Sequence, residues 1–244
     1  MMVLTGKKEN SKPVSSADLI RVGLAEFFGT ALLLFLSCTG CTMGVQGDIS
    51  SLHVSMAAGL ALVVIIQMFG HISGAHVNPV VTMAAFILDE VTTKQVPVYV
   101  ICQILGCLAG SGFHKILTPS ESYIVGNSTE PGVCLNVPRG NVTEWQALGV
   151  EIILTTALVI AVCATWDQVN SNKTDSIPLR IGLIIVSLNV SAGAYTGASM
   201  NPARSLGPAV WTNNYTSHWV YWVGPTIGSL IASYFYKYIF LTGR

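Results

Sequence analysis

Two short segments hold the residues whose types and spacing point to chemistry. Ser73-Gly74-Ala75-His76-Val77-Asn78-Pro79 returns 123 residues later as Thr196-Gly197-Ala198-Ser199-Met200-Asn201-Pro202. Asparagine is a strong N-cap residue and proline is favoured at the first helical position, so each Asn-Pro pair reads as a helix start. An ordinary cap explains one such pair as well as a functional site does. It does not explain two at repeat-related positions in apolar sequence, each behind a glycine-containing turn. Two helices meeting N-terminus to N-terminus gather partial positive charge, which repels cations and hydronium. Each asparagine oxygen caps its own helix, leaving the amide NH2 to donate. An oxygen that accepts from both Asn78 and Asn201 is turned so that a continuous proton wire is broken.

Other residues stand close to these pairs or repeat with them. Arg204 follows the second pair, and a lone arginine in such apolar sequence is costly and usually functional. It either forks its donors into a passage or snorkels outward. Glu26 and Glu151 are acids within apolar runs. They read as proton relays or as hydrogen-bond acceptors that organise the turns, and their matched positions favour the second role. Gly59 and Gly182 lie 123 residues apart and mark a close helix crossing. His71 and His76 flank the first pair, where packing is favoured over pH gating.

The elements that must position these residues are apolar helices. The chain has 244 residues, 51% hydrophobic and 10% charged, with mean hydropathy +0.59. Soluble domains carry about a quarter charged residues. Six runs, about 19–43, 53–69, 96–117, 145–166, 179–192 and 218–241, have the length and character of bilayer spans. The fold class is therefore all-α and membrane-spanning. Residues 1–18 read as a cytoplasmic tail without a cleavage-site pattern. Residues 19–244 read as one membrane domain, built of repeats at about 19–118 and 145–241 joined by an extracellular loop 119–144.

Each repeat has three spans, so the second enters the membrane inverted, and inverted repeats place a permeation site near the midplane. The stretches after the Asn-Pro pairs, 80–88 and 203–211, are too short to cross and read as re-entrant half-helices. With both termini in the cytosol, Lys7, Lys8, Lys12, Arg21, Lys94, Lys173, Arg180, Lys237 and Arg244 fall inside. Only Lys115 and Arg139 fall outside, which is the positive-inside bias.

Net charge is zero and no basic block recruits nucleic acid. No nucleophile, base and metal constellation suggests an enzyme, and no cofactor or metal site is expected. Of the six cysteines, Cys38, Cys41, Cys102, Cys107 and Cys163 fall in apolar runs and Cys134 alone in the outer loop. No disulfide framework is expected. Asn127 and Asn141 head glycosylation sequons in that loop; modified and unmodified states are both open. Asn172 heads one on the inner side, where it should be inert, and Asn189 heads one inside a span, where modification is implausible.

From Arg21 to Leu241 the chain resembles the aquaporin superfamily. The supporting motifs are Ala25-Glu26-Phe27-Phe28-Gly29-Thr30, His71-Ile72-Ser73-Gly74-Ala75-His76-Val77-Asn78-Pro79, and Asn201-Pro202-Ala203-Arg204-Ser205. The family pattern has Ala where Val80 stands, a change expected to cost a small local adjustment. The resemblance implies a homotetramer in the lipid bilayer, at the plasma membrane, with one pore per chain. It also makes Arg204 the basic member of a selectivity filter.

Water-selective relatives narrow that filter with a Phe and a His, at positions that fall here on Ala58 and Asn189; the fourth position is Ala198. The filter Ala58, Asn189, Ala198, Arg204 is then wider than a water-only pore needs. The combination is similar to the insect glycerol-transporting group, the entomoglyceroporins. Ser205, Ala209, Tyr221 and Trp222 instead look water-type. The expected permeants are glycerol, urea and other polyols together with water. A water-only pore is the alternative, and a coupled transporter or a junctional protein with a vestigial pore are readings from other classes.

Overall fold

The computed structural model describes residues 15–43, 51–123 and 132–241. The order is α1 (Ser16–Met43), α2 (Ser51–Ser73), α3 (Pro79–Ile87), α4 (Gln95–Leu117), α5 (Glu144–Trp166), α6 (Ile177–Thr196), α7 (Pro202–Thr212) and α8 (Val220–Phe235). Short 3₁₀ turns occupy Ser120–Tyr123 and Gln168–Asn170. No strand occurs among the described residues.

Local chemistry sets the helix starts. The Ser15 hydroxyl accepts from the Asp18 amide at 3.1 Å and donates to its carboxylate at 2.7 Å, so α1 begins before the apolar run does. Thr143 and Gln146 form a capping box at α5. α2 and α6 outlast the apolar runs at 53–69 and 179–192 at both ends; at the C-terminal ends polar residues such as His71, Ser73 and Thr196 continue the helix into the turns.

Among the described residues five helices, α1, α2, α4, α5 and α6, are long and apolar enough to cross a membrane. The sixth expected span is built differently: the 16 residues of α8 run on into a five-residue π segment, Tyr236–Phe240. Large apolar side chains such as Phe113, Ile153 and Ile231 point outward at 59%, 70% and 50% exposure. In water that surface would be unstable; against acyl chains it is the expected exterior.

Packing follows the repeat. α1 lies against α4 as α5 lies against α8, and α2 crosses α6 between the halves. At this crossing a Cβ on Gly59 would sit 2.5 Å from the Gly182 carbonyl oxygen, and one on Gly182 would sit 2.7 Å from that of Gly59. Each backbone occupies the space a side chain would need, so only glycine fits at either position.

Candidate functional site

The two turns that precede the half-helices are held by the two buried acids. Glu26 and Glu151 are both fully buried. Glu26 accepts from the Ser73 hydroxyl at 2.6 Å, the His76 amide at 2.9 Å and the Val77 amide at 2.7 Å. Glu151 accepts from the Thr196 hydroxyl at 2.7 Å, the Ser199 amide at 2.9 Å and the Met200 amide at 2.8 Å. Tyr99 and Tyr221 donate to the Ser73 and Thr196 carbonyls at 2.6 and 3.0 Å. One asymmetry stands out: Gln103 gives Glu26 a fourth donor at 2.7 Å. α8 carries Pro225 at the corresponding place, which has no side-chain amide to offer Glu151.

These bonds hold a strained backbone. Ala75, Val77, Ala198 and Met200 all have positive φ, between +43° and +53°. Each costs about 1–2 kcal/mol outside glycine, so the carboxylates must over-determine the turns. The outcome is that the Val77 and Met200 carbonyls face across to the other repeat.

Asn78 and Asn201 meet there. The Asn78 side-chain oxygen accepts from the Val80 amide at 3.1 Å, and that of Asn201 accepts from the Ala203 and Arg204 amides at 3.0 and 3.2 Å. The expectation that the whole NH2 stays free needs correction. Asn78 Nδ2 donates to the Met200 carbonyl and Asn201 Nδ2 to the Val77 carbonyl, both at 2.9 Å. Each amide has two hydrogens, so one locks the halves together and one remains to face a passing oxygen.

A cavity of about 1110 Å³ connects these residues. Its lining includes Arg139 and Cys134 toward one face, Asn78 and Asn201 between, and Glu90 and Asp175 toward the other. Ala58, Asn189, Ala198 and Arg204 all border it. Asn189 gives one amide hydrogen to the Ile185 carbonyl at 3.0 Å, keeping its oxygen and second hydrogen. Pro79, Val80 and Pro202 border instead a small apolar cavity beside Met83 and Trp222, and Ala203 is fully buried. The extra methyls of Val80 therefore point away from the large cavity. His76 is buried, 3.2 Å from the Thr82 hydroxyl, with its ring 4.7 Å from that of Tyr99.

Arg204 does not simply fork into the cavity. Its Nη1 donates to the Cys134 carbonyl at 3.0 Å and to the Asn136 side-chain oxygen. Asn136 also accepts from the Ser205 hydroxyl at 2.9 Å. Cys134 is joined to Cys38 of α1 in a disulfide, which corrects the expectation that no bridge forms. Cysteine counting placed one partner in a helix and the other in a loop; the loop folds back into the mouth of the cavity and reaches the end of α1.

Residues 13–236 match the model of the major intrinsic protein family. The chain belongs to that family, the aquaporin family of membrane channels. Lens fiber major intrinsic proteins of Ovis aries and Homo sapiens are 38% identical to it over 224 residues, covering 92% of this chain and 82% of theirs. That of Lithobates pipiens is 38% identical over 221 residues, covering 90% of this chain and 81% of its own. The crystal structure of the aquaglyceroporin from Plasmodium falciparum superposes with a TM-score of 0.75 over 91% of this chain and 97% of that one. At 23% identity that likeness bears on the fold alone. This major intrinsic protein is thus an integral membrane channel for water and small solutes, not an enzyme.

Two lysines of this aquaporin-family channel were read only as topology signals. Lys115 of α4 donates to the Trp211 carbonyl at the end of α7, at 2.6 Å. Lys237, after α8, donates to the Ile87 carbonyl at the end of α3 and pairs with Asp89 at 2.8 Å. Each repeat thus lends a cation to the negative end of the other repeat's half-helix. Their offset of 122 residues was the available signal. Asn141 is exposed just ahead of α5, whereas Asn127 lies outside the described residues.

Proposed function

We propose that this chain is a passive channel for glycerol and other small neutral solutes, urea and polyols among them, together with water, and that it excludes protons and ions. One observation carries the reading: Ala58 borders the same cavity as Arg204, with a methyl group where a water-only filter has the Phe ring, and Ala198 on that wall is small as well. Asn189 adds an acceptor and a donor on that wall. A hydroxyl that sheds water on entry must find replacement partners, since a buried polar group left unpaired costs about 1–3 kcal/mol.

Exclusion of ions is supported by three positive features on one path: the N-termini of α3 and α7, and the Arg204 guanidinium. Glu26, Glu151, Gly59 and Gly182 are assigned to holding the halves in register. The charge distribution supports cytoplasmic termini. The family resemblance supports a homotetramer with one passage per chain at the plasma membrane, and glycosylation at Asn141 fits its exposure.

The test narrows the filter with Ala58→Phe and Asn189→His together. In liposomes, glycerol flux should fall about tenfold or more relative to water flux, the scale on which one methylene of misfit discriminates. Oligomer yield is followed alongside, because overpacking can misfold the protein. A parent that passes water but neither glycerol nor urea would leave the water-only reading in place.

A further inference from the structure

We propose that the Cys38–Cys134 disulfide is a specificity-determining tether, fixing the loop that holds the Arg204 guanidinium against the wall of the passage. The inference rests on reading Arg204 as a filter residue. Cys38 sits in α1, almost completely buried, and Cys134 is nearly so. They are 96 residues apart in the chain.

The residues around Cys134 belong to no helix or strand, and among the described residues few other bonds hold them. Gly132 donates to the Tyr123 carbonyl at 3.2 Å, Leu135 to the Gly132 carbonyl at 3.3 Å, and Arg139 to the Tyr195 carbonyl at 2.9 Å. The Asn136 amide reaches the Thr196 carbonyl only at 3.4 Å. The disulfide is therefore the covalent tie between this loop and a packed helix, and it falls on the very residue whose carbonyl accepts from Arg204.

Cys134 also carries φ of +69°, a conformation that side chains other than glycine seldom adopt. Holding it there aims its carbonyl at the guanidinium. Cutting the bridge lets the backbone relax toward negative φ and swings that carbonyl away, taking Asn136, two residues on, out of place as well. A guanidinium cannot shed its charge and has five donors to satisfy. Deprived of the loop, it turns to the water on the axis, because a charge left buried and unpaired is expensive. The freed side chain then narrows the passage, obstructing glycerol and urea most and slowing water as well.

Ser205, beside Arg204, is drawn into the same arrangement through Asn136. The tether acts through Arg204 and contributes no polar group to the permeant, so it is a positioning device. A merely structural bridge would alter yield and leave selectivity alone.

The test compares the parent with Cys38→Ser, Cys134→Ser and the double variant in liposomes, measuring glycerol, urea and water permeability on protein of verified assembly. The ratio of glycerol to water permeability should fall about tenfold in all three, the scale of a methylene-sized obstruction. The same changes made on Arg204→Ala should leave that variant's ratio unmoved. Should the parent carry no glycerol, the proposed function fails, and the tether is read from water alone: the serine variants then slow water in the parent background but not on Arg204→Ala.

Where the serine variants do not assemble, dithiothreitol is applied to the reconstituted parent. Its two thiolates displace the sulfurs in turn and close to a cyclic disulfide, while Cys38 and Cys134 leave as thiols. Cleavage is confirmed by mass spectrometry of alkylated peptides before flux is measured. Assembled or reduced protein with parental selectivity and water flux, or an equal loss on Arg204→Ala, overturns the proposal.

Discussion

Asn78 Nδ2 stands 2.9 Å from the carbonyl oxygen of Met200, so the cap of one half-helix is also a brace for the turn that launches the other. The reciprocal bond from Asn201 to Val77 closes the arrangement. Neither asparagine can change without disturbing both repeats, because its oxygen is committed to its own helix and half its amide to the opposite one.

Asn78→Asp and Asn201→Asp should therefore do more than remove a donor. Each sets a carboxylate oxygen against a carbonyl at hydrogen-bond distance and brings negative charge to the convergence of two helix N-termini. Leaving the opposed carbonyl unpaired costs about 1–3 kcal/mol. Each variant should lose thermal stability and, where it assembles, admit cations or protons, read from liposomes loaded with a pH-sensitive dye. Two variants that melt, transport and exclude protons like the parent would reduce the pairs to ordinary caps.

Lys115→Met and Lys237→Met remove the cations from the ends of α7 and α3 while keeping most of the apolar stem. Each should cost about 0.3–1 kcal/mol from the helix end alone. Lys237 should cost more, since its pairing with the largely exposed Asp89 adds a further few tenths of a kcal/mol. Denaturation of the detergent-solubilised protein measures both. Equal stability of parent and both variants would show that the lysines only mark topology.

Glu90 lies in the connection between α3 and α4, at the cavity mouth away from Arg204. Burial, and then the charge of Asp89, push its carboxyl from 4.5 up to about 7. The folded chain thus holds a proton that the unfolded chain releases. The associated stability is fully present below about 4.5 and is lost as pH rises through 7. Relative to Glu90→Gln, the parent should melt progressively lower from pH 5 to pH 8. Parallel melting profiles for the two proteins would contradict the assignment.

Much of this architecture was legible because the chain states it twice. The recurrence of Asn-Pro, of the acids Glu26 and Glu151, and of Gly59 and Gly182 fixes an inverted repeat before any contact is known. What escaped has a physical pattern. The Cys38–Cys134 bridge and the Asn136 contact depend on a loop folding back over the cavity, and neither helical periodicity nor cysteine spacing encodes a long-range loop position. Lys115 and Lys237 did repeat, but a cation at the end of an apolar run signals topology so often that its hydrogen-bonding role went unread. The second role of the asparagine amides needed the actual distance between the half-helices. Only the left-handed turns at Val77 and Met200 bring a carbonyl within reach.

The central claim is that solutes larger than water pass through this cavity, and re-swelling of reconstituted liposomes tests it most directly. Vesicles shrunk by a glycerol gradient should re-swell as glycerol enters, far faster than protein-free vesicles, while vesicles in a sucrose gradient stay shrunken. Rapid shrinkage followed by re-swelling no faster than that of the bare lipid would mean that water alone passes, and the account of Ala58, Asn189, Ala198 and Arg204 as a widened filter would be wrong.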